Sequence, residues 1–225
     1  MRRALGVGAA LLGALAVLAL TAASSGTRPS VPANAQTAPG VLAAQLGCPV
    51  CHGQRGQAPL SNIPSLAGQH AEWLEARLEA FRAQAQAGED GIMPRYARHL
   101  TDAQIRALAG AYSRDPLPHP TRVLQAQLVS EGQALYERGR PYQGQIACAT
   151  CHGSAGSGGT TPLVPRIGGQ HGGYVIYRLN VYRQLPARPD QPSAQAMRTV
   201  ARTLSDRDIQ AVAAYVQQLP TGSFQ

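Results

Sequence analysis

Lysine is absent from this chain of 225 residues, and all twenty basic side chains are arginine. The absence reads as composition bias and carries no chemistry of its own. Aromatic residues make up only 5%, with one Trp and two Phe. That is thin material for the one or two domains the length allows, unless large apolar groups are supplied from outside the chain. Cysteine occurs four times, always in pairs three apart, so no thiol is left over for a lone nucleophile. No run of basic residues is interleaved with aromatics, which argues against nucleic acid as a partner. The formal charge of +8 shrinks on inspection. Arg2, Arg3 and Arg28 lie before the expected folded part, where there are no acids, and the remainder holds 17 Arg against 12 Asp plus Glu.

What is present is a repeated stretch. Cys48-Pro49-Val50-Cys51-His52 returns as Cys148-Ala149-Thr150-Cys151-His152, 100 residues later. Each reads as a C-x-x-C-H site for covalent attachment of haem c. Two cysteines three apart can form thioethers to the haem vinyl groups, and the adjacent histidine can then ligate the iron. Zinc would need both pairs brought together and leaves the two histidines unexplained. A thioredoxin-like redox pair needs a strand before the motif, and no strand-like run precedes either copy. Two haems would make up the aromatic shortfall. Their roughly four propionates would bring the surface close to neutrality.

The repeat extends further. Pro64-Ser65-Leu66-Ala67-Gly68-Gln69-His70 is answered by Pro165-Arg166-Ile167-Gly168-Gly169-Gln170-His171 at an offset of 101. An amphipathic helix is expected over 71–87, with Trp73, Leu74, Leu78 and Phe81 at helical spacing, and its counterpart over 174–184. Shorter helices are expected over 41–47 and 132–137. Last helices are expected from Thr101, with Gln104 completing a capping-box pattern, and over 205–219. Apart from Met1, the only methionines are Met93 and Met197, each seven residues before a Leu-(Thr/Ser)-Asp helix start. They lie 41 and 45 residues beyond His52 and His152, in stretches that read as loops. Met more often fills a core gap, but two matched copies in so methionine-poor a chain point to thioether ligation of the iron. With both axial positions filled, the centres suit electron transfer and not peroxide or oxygen chemistry. Pro64 and Pro165 read either as turns or as carbonyl partners for the second ring nitrogen of each axial histidine. For His70 and His171, helix capping or a bond to a propionate fits better than ligation. His99 and His119 have no repeat partner and read as surface or packing residues.

The start of the chain reads as a targeting segment. Arg2 and Arg3 precede an apolar run over residues 4–23. It is long enough to cross a bilayer, and small-residue cleavage sites also follow it. Signal peptide and retained anchor both remain open over 1–26. Either places the rest on the extracytoplasmic side of the membrane, in the periplasm. A flexible spacer follows over 27–40. A first domain is expected over 41–113, a Pro-rich linker over 114–128 and a second domain over 129–220.

These doubled motifs, Cys-x-x-Cys-His-Gly, Pro-x-(Leu/Ile)-x-Gly-Gln-His and Met-x6-Leu-(Ser/Thr)-Asp, resemble the dihaem cytochromes c of the cytochrome c4 type. The resemblance spans residues 41–220. It implies an all-α fold of two tandem class I cytochrome c domains related by a pseudo-two-fold axis, with haem propionate edges facing across the interface. It also implies an electron carrier, not an enzyme, with haem-to-haem transfer inside the molecule. Its partners would be a quinol-oxidising cytochrome bc-type complex and a terminal oxidase. The alternative is a cytochrome subunit of a periplasmic dehydrogenase, or a fixed subunit of a membrane complex. The first half departs from the pattern at Glu89-Asp90 and at Pro94-Arg95, so the two centres are expected to differ in potential.

Overall fold

The computed structural model describes residues 39–86, 91–116, 125–161, 163–184 and 192–219. The apolar run over 4–23, Glu89-Asp90, His119 and most of the Pro-rich linker lie outside the described residues. Among the described residues the fold is helical, the one strand-like feature being an isolated bridge between Arg140 and Gln145. None of the described helices is long and apolar enough to cross a membrane.

The first half contains α1 (Pro39–Gln45), α2 (Pro49–His52), α3 (Ala71–Gln86), α4 (Ile92–Ala97) and α5 (Asp102–Arg114). The second repeats the order as α6 (Ala126–Arg138), α7 (Ala149–His152), α8 (Gly172–Gln184), α9 (Pro192–Arg202) and α10 (Asp206–Gln218). In each half the first helix packs on the last, and the long middle helix packs on both the methionine-bearing helix and the last one. The cores follow the helical periodicity. Leu42 on α1 and Ile105, Leu108, Ala109 and Tyr112 on α5 are buried, and α5 packs on both α1 and α3. Leu135, Tyr136, Val212, Val216 and Leu219 form the equivalent cluster between α6 and α10.

The capping boxes are present at both last helices. Gln104 N–H donates to Thr101 Oγ1 while Thr101 N–H donates to Gln104 Oε1. Ser205 and Asp208 repeat the exchange at α10. Each box satisfies two backbone donors that a helix start leaves unpaired. Ser205→Ala is therefore expected to cost about 1 kcal/mol of stability, measured by denaturant unfolding; an unchanged midpoint would remove the box from the account of α10. At the other end, Gly68 N–H donates to Tyr112 O at 2.9 Å and Gly169 N–H to Val216 O at 3.0 Å. The Gly-Gln-His segment is thereby pinned to the C-terminal turn of the last helix in both halves.

Three features depart from the sequence reading. Met93 and Met197 lie on helices α4 and α9 and not in loops. The helix expected over 132–137 runs from Ala126 to Arg138. A 3-10 turn, Pro141–Gln143, precedes the second Cys pair and has no counterpart among the described residues of the first half.

Candidate functional site

Each C-x-x-C-H stretch folds as one helical turn, α2 or α7. A spacing of three puts both cysteine sulfurs on one side of that turn. None of the four cysteines is joined in a disulfide. Burial pushes the Cys148 thiol up to about 11, and Cys48 is also raised, first by burial. Gly53 and Gly153 follow with φ of 75° and 76°. A Cβ at Gly53 would run into the Gln57 carbonyl, which explains why glycine ends each motif.

His52 and His152 are both buried. His52 Nδ1–H donates to Pro64 O at 2.9 Å, and His152 Nδ1–H donates to Pro165 O at 3.0 Å. A carbonyl oxygen only accepts, so the bond places the proton on Nδ1 and leaves the Nε2 lone pair exposed to a ligand site. Burial holds both imidazoles below their ordinary pKa, against the opposing effect of the proline carbonyl. They stay neutral, the form that coordinates iron. Met93 and Met197 are both half-buried, and Met197 packs against Leu179, Ala201, Leu204 and Ile209. His99 is exposed.

The cytochrome c family model matches residues 38–110 and again 129–220. A cytochrome c4 from Thiocapsa roseopersicina is 36% identical over 173 residues, covering 76% of this chain and 86% of its relative. The chain belongs to the cytochrome c4 family. Among solved structures, reduced recombinant cytochrome c4 from Pseudomonas stutzeri superposes with a TM-score of 0.72 at 29% identity, covering 83% of this chain and 99% of that one. A thiosulfate dehydrogenase from Marichromatium purpuratum superposes with a TM-score of 0.69 at 27% identity, covering 81% of this chain but 40% of that one. A dihaem c-type cytochrome transfers electrons through two covalently attached haem c groups, each supplying a one-electron iron couple.

The residues present fit two such groups. Besides the paired thiols and the free Nε2 positions, a matched pair of cations needs anions. Arg77 on α3 and Arg178 on α8 stand 101 positions apart, the offset of the repeat. Arg77 Cζ lies 4.8 Å from the Phe81 ring centroid, and Arg178 Cζ 4.7 Å from that of Tyr182. Burial, and then the charge of Arg178, holds Arg77 below its ordinary pKa. Among the described residues neither guanidinium forms an ion pair. For Arg178, burial is outweighed by Tyr182 and Tyr174, and its pKa is raised instead. Two guanidiniums at matched positions of the repeat, without a carboxylate partner among the described residues, would suit haem propionates.

The sequence reading missed the role of the two glutamines. Gln69 Nε2–H donates to Arg166 O, and Arg166 N–H donates back to Gln69 Oε1, both at 2.9 Å. Gln170 makes the same pair of bonds to Ser65 O and Ser65 N–H, both at 3.0 Å. Each amide thus reads the backbone of the opposite half as a strand would. The histidines that follow point the same way. His171 Nε2–H donates to Ala58 O at 2.8 Å, and the His70 ring lies against Ser157-Gly158. Among the described residues these histidines join the halves, and their backbone N–H groups are capped by the preceding glutamine side chains. The signal available in the sequence was the repetition of Gln at an offset of 101.

Proposed function

We propose that this chain carries electrons between respiratory complexes on the extracytoplasmic side of the membrane, from a quinol-oxidising cytochrome bc-type complex to a terminal oxidase. Cys48 and Cys51 hold one haem and Cys148 and Cys151 the other. His52 and Met93 take the axial positions in the first half, and His152 and Met197 in the second. Pro64 and Pro165 orient the axial imidazoles through their carbonyls. The domains run over 41–113 and 129–220, joined by the linker 114–128. Residues 1–26 deliver the protein across the membrane and either leave or anchor it there, with 27–40 as spacer.

The observation that carries this reading is the matched placement in both halves of a neutral, buried histidine with its Nδ1–H engaged and a methionine on the following short helix. Ligands of this kind on both faces leave no open position for substrate chemistry. A weak contact with each partner suits such a carrier, because transient redox encounters use small interfaces.

A second reading is favoured by the likeness to a thiosulfate dehydrogenase structure: the chain would accept electrons from a dehydrogenase of that kind. Stopped-flow mixing separates the two. Oxidised holoprotein is expected to be reduced by quinol-oxidising membranes, with a specific quinol-site inhibitor abolishing the reaction. Reduction by a thiosulfate dehydrogenase plus thiosulfate, with none from the membranes, would replace the first reading by the second. Peroxide turnover by the purified protein would overturn both.

A further inference from the structure

The glutamine contacts touch the same peptide units that hold the axial histidines. Pro64 O accepts from His52 Nδ1–H, and the N–H of that same peptide belongs to Ser65. That N–H donates to Gln170 Oε1, from the other half of the molecule. The mirror image holds as well. Pro165 O accepts from His152 Nδ1–H, and the N–H of its peptide, on Arg166, donates to Gln69 Oε1. Each line of bonds therefore runs from an axial histidine, through one peptide group, into the opposite half.

We propose that Gln170 is a positioning residue for the centre at His52, and Gln69 for the centre at His152, so that each half tunes the redox centre of the other. The proposal rests on His52 and His152 being the axial ligands. A peptide whose N–H is engaged has a more negative carbonyl oxygen, because hydrogen bonds in a chain polarise one another, by about 10–30% per bond. The stronger acceptor draws on Nδ1–H and makes the imidazole a more basic ligand. A more basic ligand stabilises the oxidised iron and lowers the potential. The amide also grips the next peptide along the chain, since Gln170 Nε2–H donates to Ser65 O, so Ser65 is held through both its N–H and its carbonyl. Ser65 and Gln170 are both buried, so water does not replace the amide without a rearrangement.

The test uses full-length holoprotein with Gln170→Leu, Gln69→Leu and Gln170→Glu. Two quantities are read: the two one-electron potentials, and the ring N–H signals of His52 and His152 in the reduced state by nitrogen-15 NMR. Gln170→Leu is expected to shift the His52 Nδ1–H signal upfield and to favour reduction of that centre about tenfold, about 59 mV for one electron. The His152 signal should stay in place. Gln69→Leu should do the reverse. Gln170→Glu keeps an acceptor for Ser65 N–H, so the His52 signal should remain near its wild-type position.

A merely structural clasp would loosen both centres together, and Glu would behave like Leu. Either result overturns the proposal, as does a response confined to the substituted half or no response at all. The ligation reading fails separately, if the unsubstituted protein shows no iron-bound imidazole at His52 or His152.

Discussion

Met197→His is expected to lower the potential of the second centre by roughly 0.2–0.3 V, a fraction of the about 0.8 V that axial ligands span. A thioether favours the reduced iron, and an imidazole donates more strongly to the oxidised one. The local setting permits the exchange. Met197 lies on α9 and is half-buried, with Leu179, Ala201, Leu204 and Ile209 around it. A histidine there keeps most of those contacts. With Met93 and Met197 as the proposed ligands, the sulfur-to-iron band at the red edge of the oxidised spectrum should fall to about half, because one of two such centres would be lost. Met93→His should remove the other half and lower the first potential instead. Titration with optical detection decides the matter. A full-strength band in Met197→His, or two unchanged potentials, would refute thioether ligation at that position.

The parts of this molecule legible from sequence are those written locally and written twice. The C-x-x-C-H turns, the long middle helices and the capping boxes all depend on residues within a few positions of one another, and each copy corroborates the other. The helices carrying the methionines were harder to read. Pro94 suggests a break, yet it is the third residue of α4, within the first turn, where its missing N–H removes no helical bond. Pro192 likewise opens α9. The glutamine contacts were illegible for a different reason. They join residues 97 and 105 positions apart, and no periodicity reports a bond across such a distance. Only the recurrence of Gly-Gln-His marked the place, and a repeated polar pair says nothing of what it touches. The half-buried Arg77 and Arg178 are a similar case, since each looks like an ordinary surface cation on its own helix.

Gly132→Leu is expected to be the most damaging single substitution in the second half. Gly132 sits on α6 where that helix crosses α10, between buried partners. A Cβ there would overlap the Ala211 carbonyl oxygen and come within 2.9 Å of Tyr215 Cβ. The obstacle is helical backbone, which cannot turn aside as a flexible side chain does. Even alanine, which gains about 1 kcal/mol in helix propensity, should lose more than that to overpacking, which typically costs about 1–3 kcal/mol. Leucine should cost upwards of about 3 kcal/mol, because separating the helices also uncovers Leu135, Val212 and Val216. Gly110→Ala supplies the control. It too lies inside a helix, α5, but its Cβ would meet only the tip of the Arg114 side chain at 3.2 Å. That substitution should stabilise by about 0.5–1 kcal/mol. Denaturant unfolding of the holoprotein compares the three, and a Gly132→Ala protein as stable as Gly110→Ala would show that the crossing has slack. The damage should also reach the redox centre. Tyr136, one turn along α6 and fully buried, donates its hydroxyl to Gly153 O at 2.7 Å, directly after His152. Cys148 and Ala149 pack on the same cluster. Pushing α6 away from α10 therefore pulls on the segment that holds the second haem, and its potential should shift while that of the first centre stays near its original value.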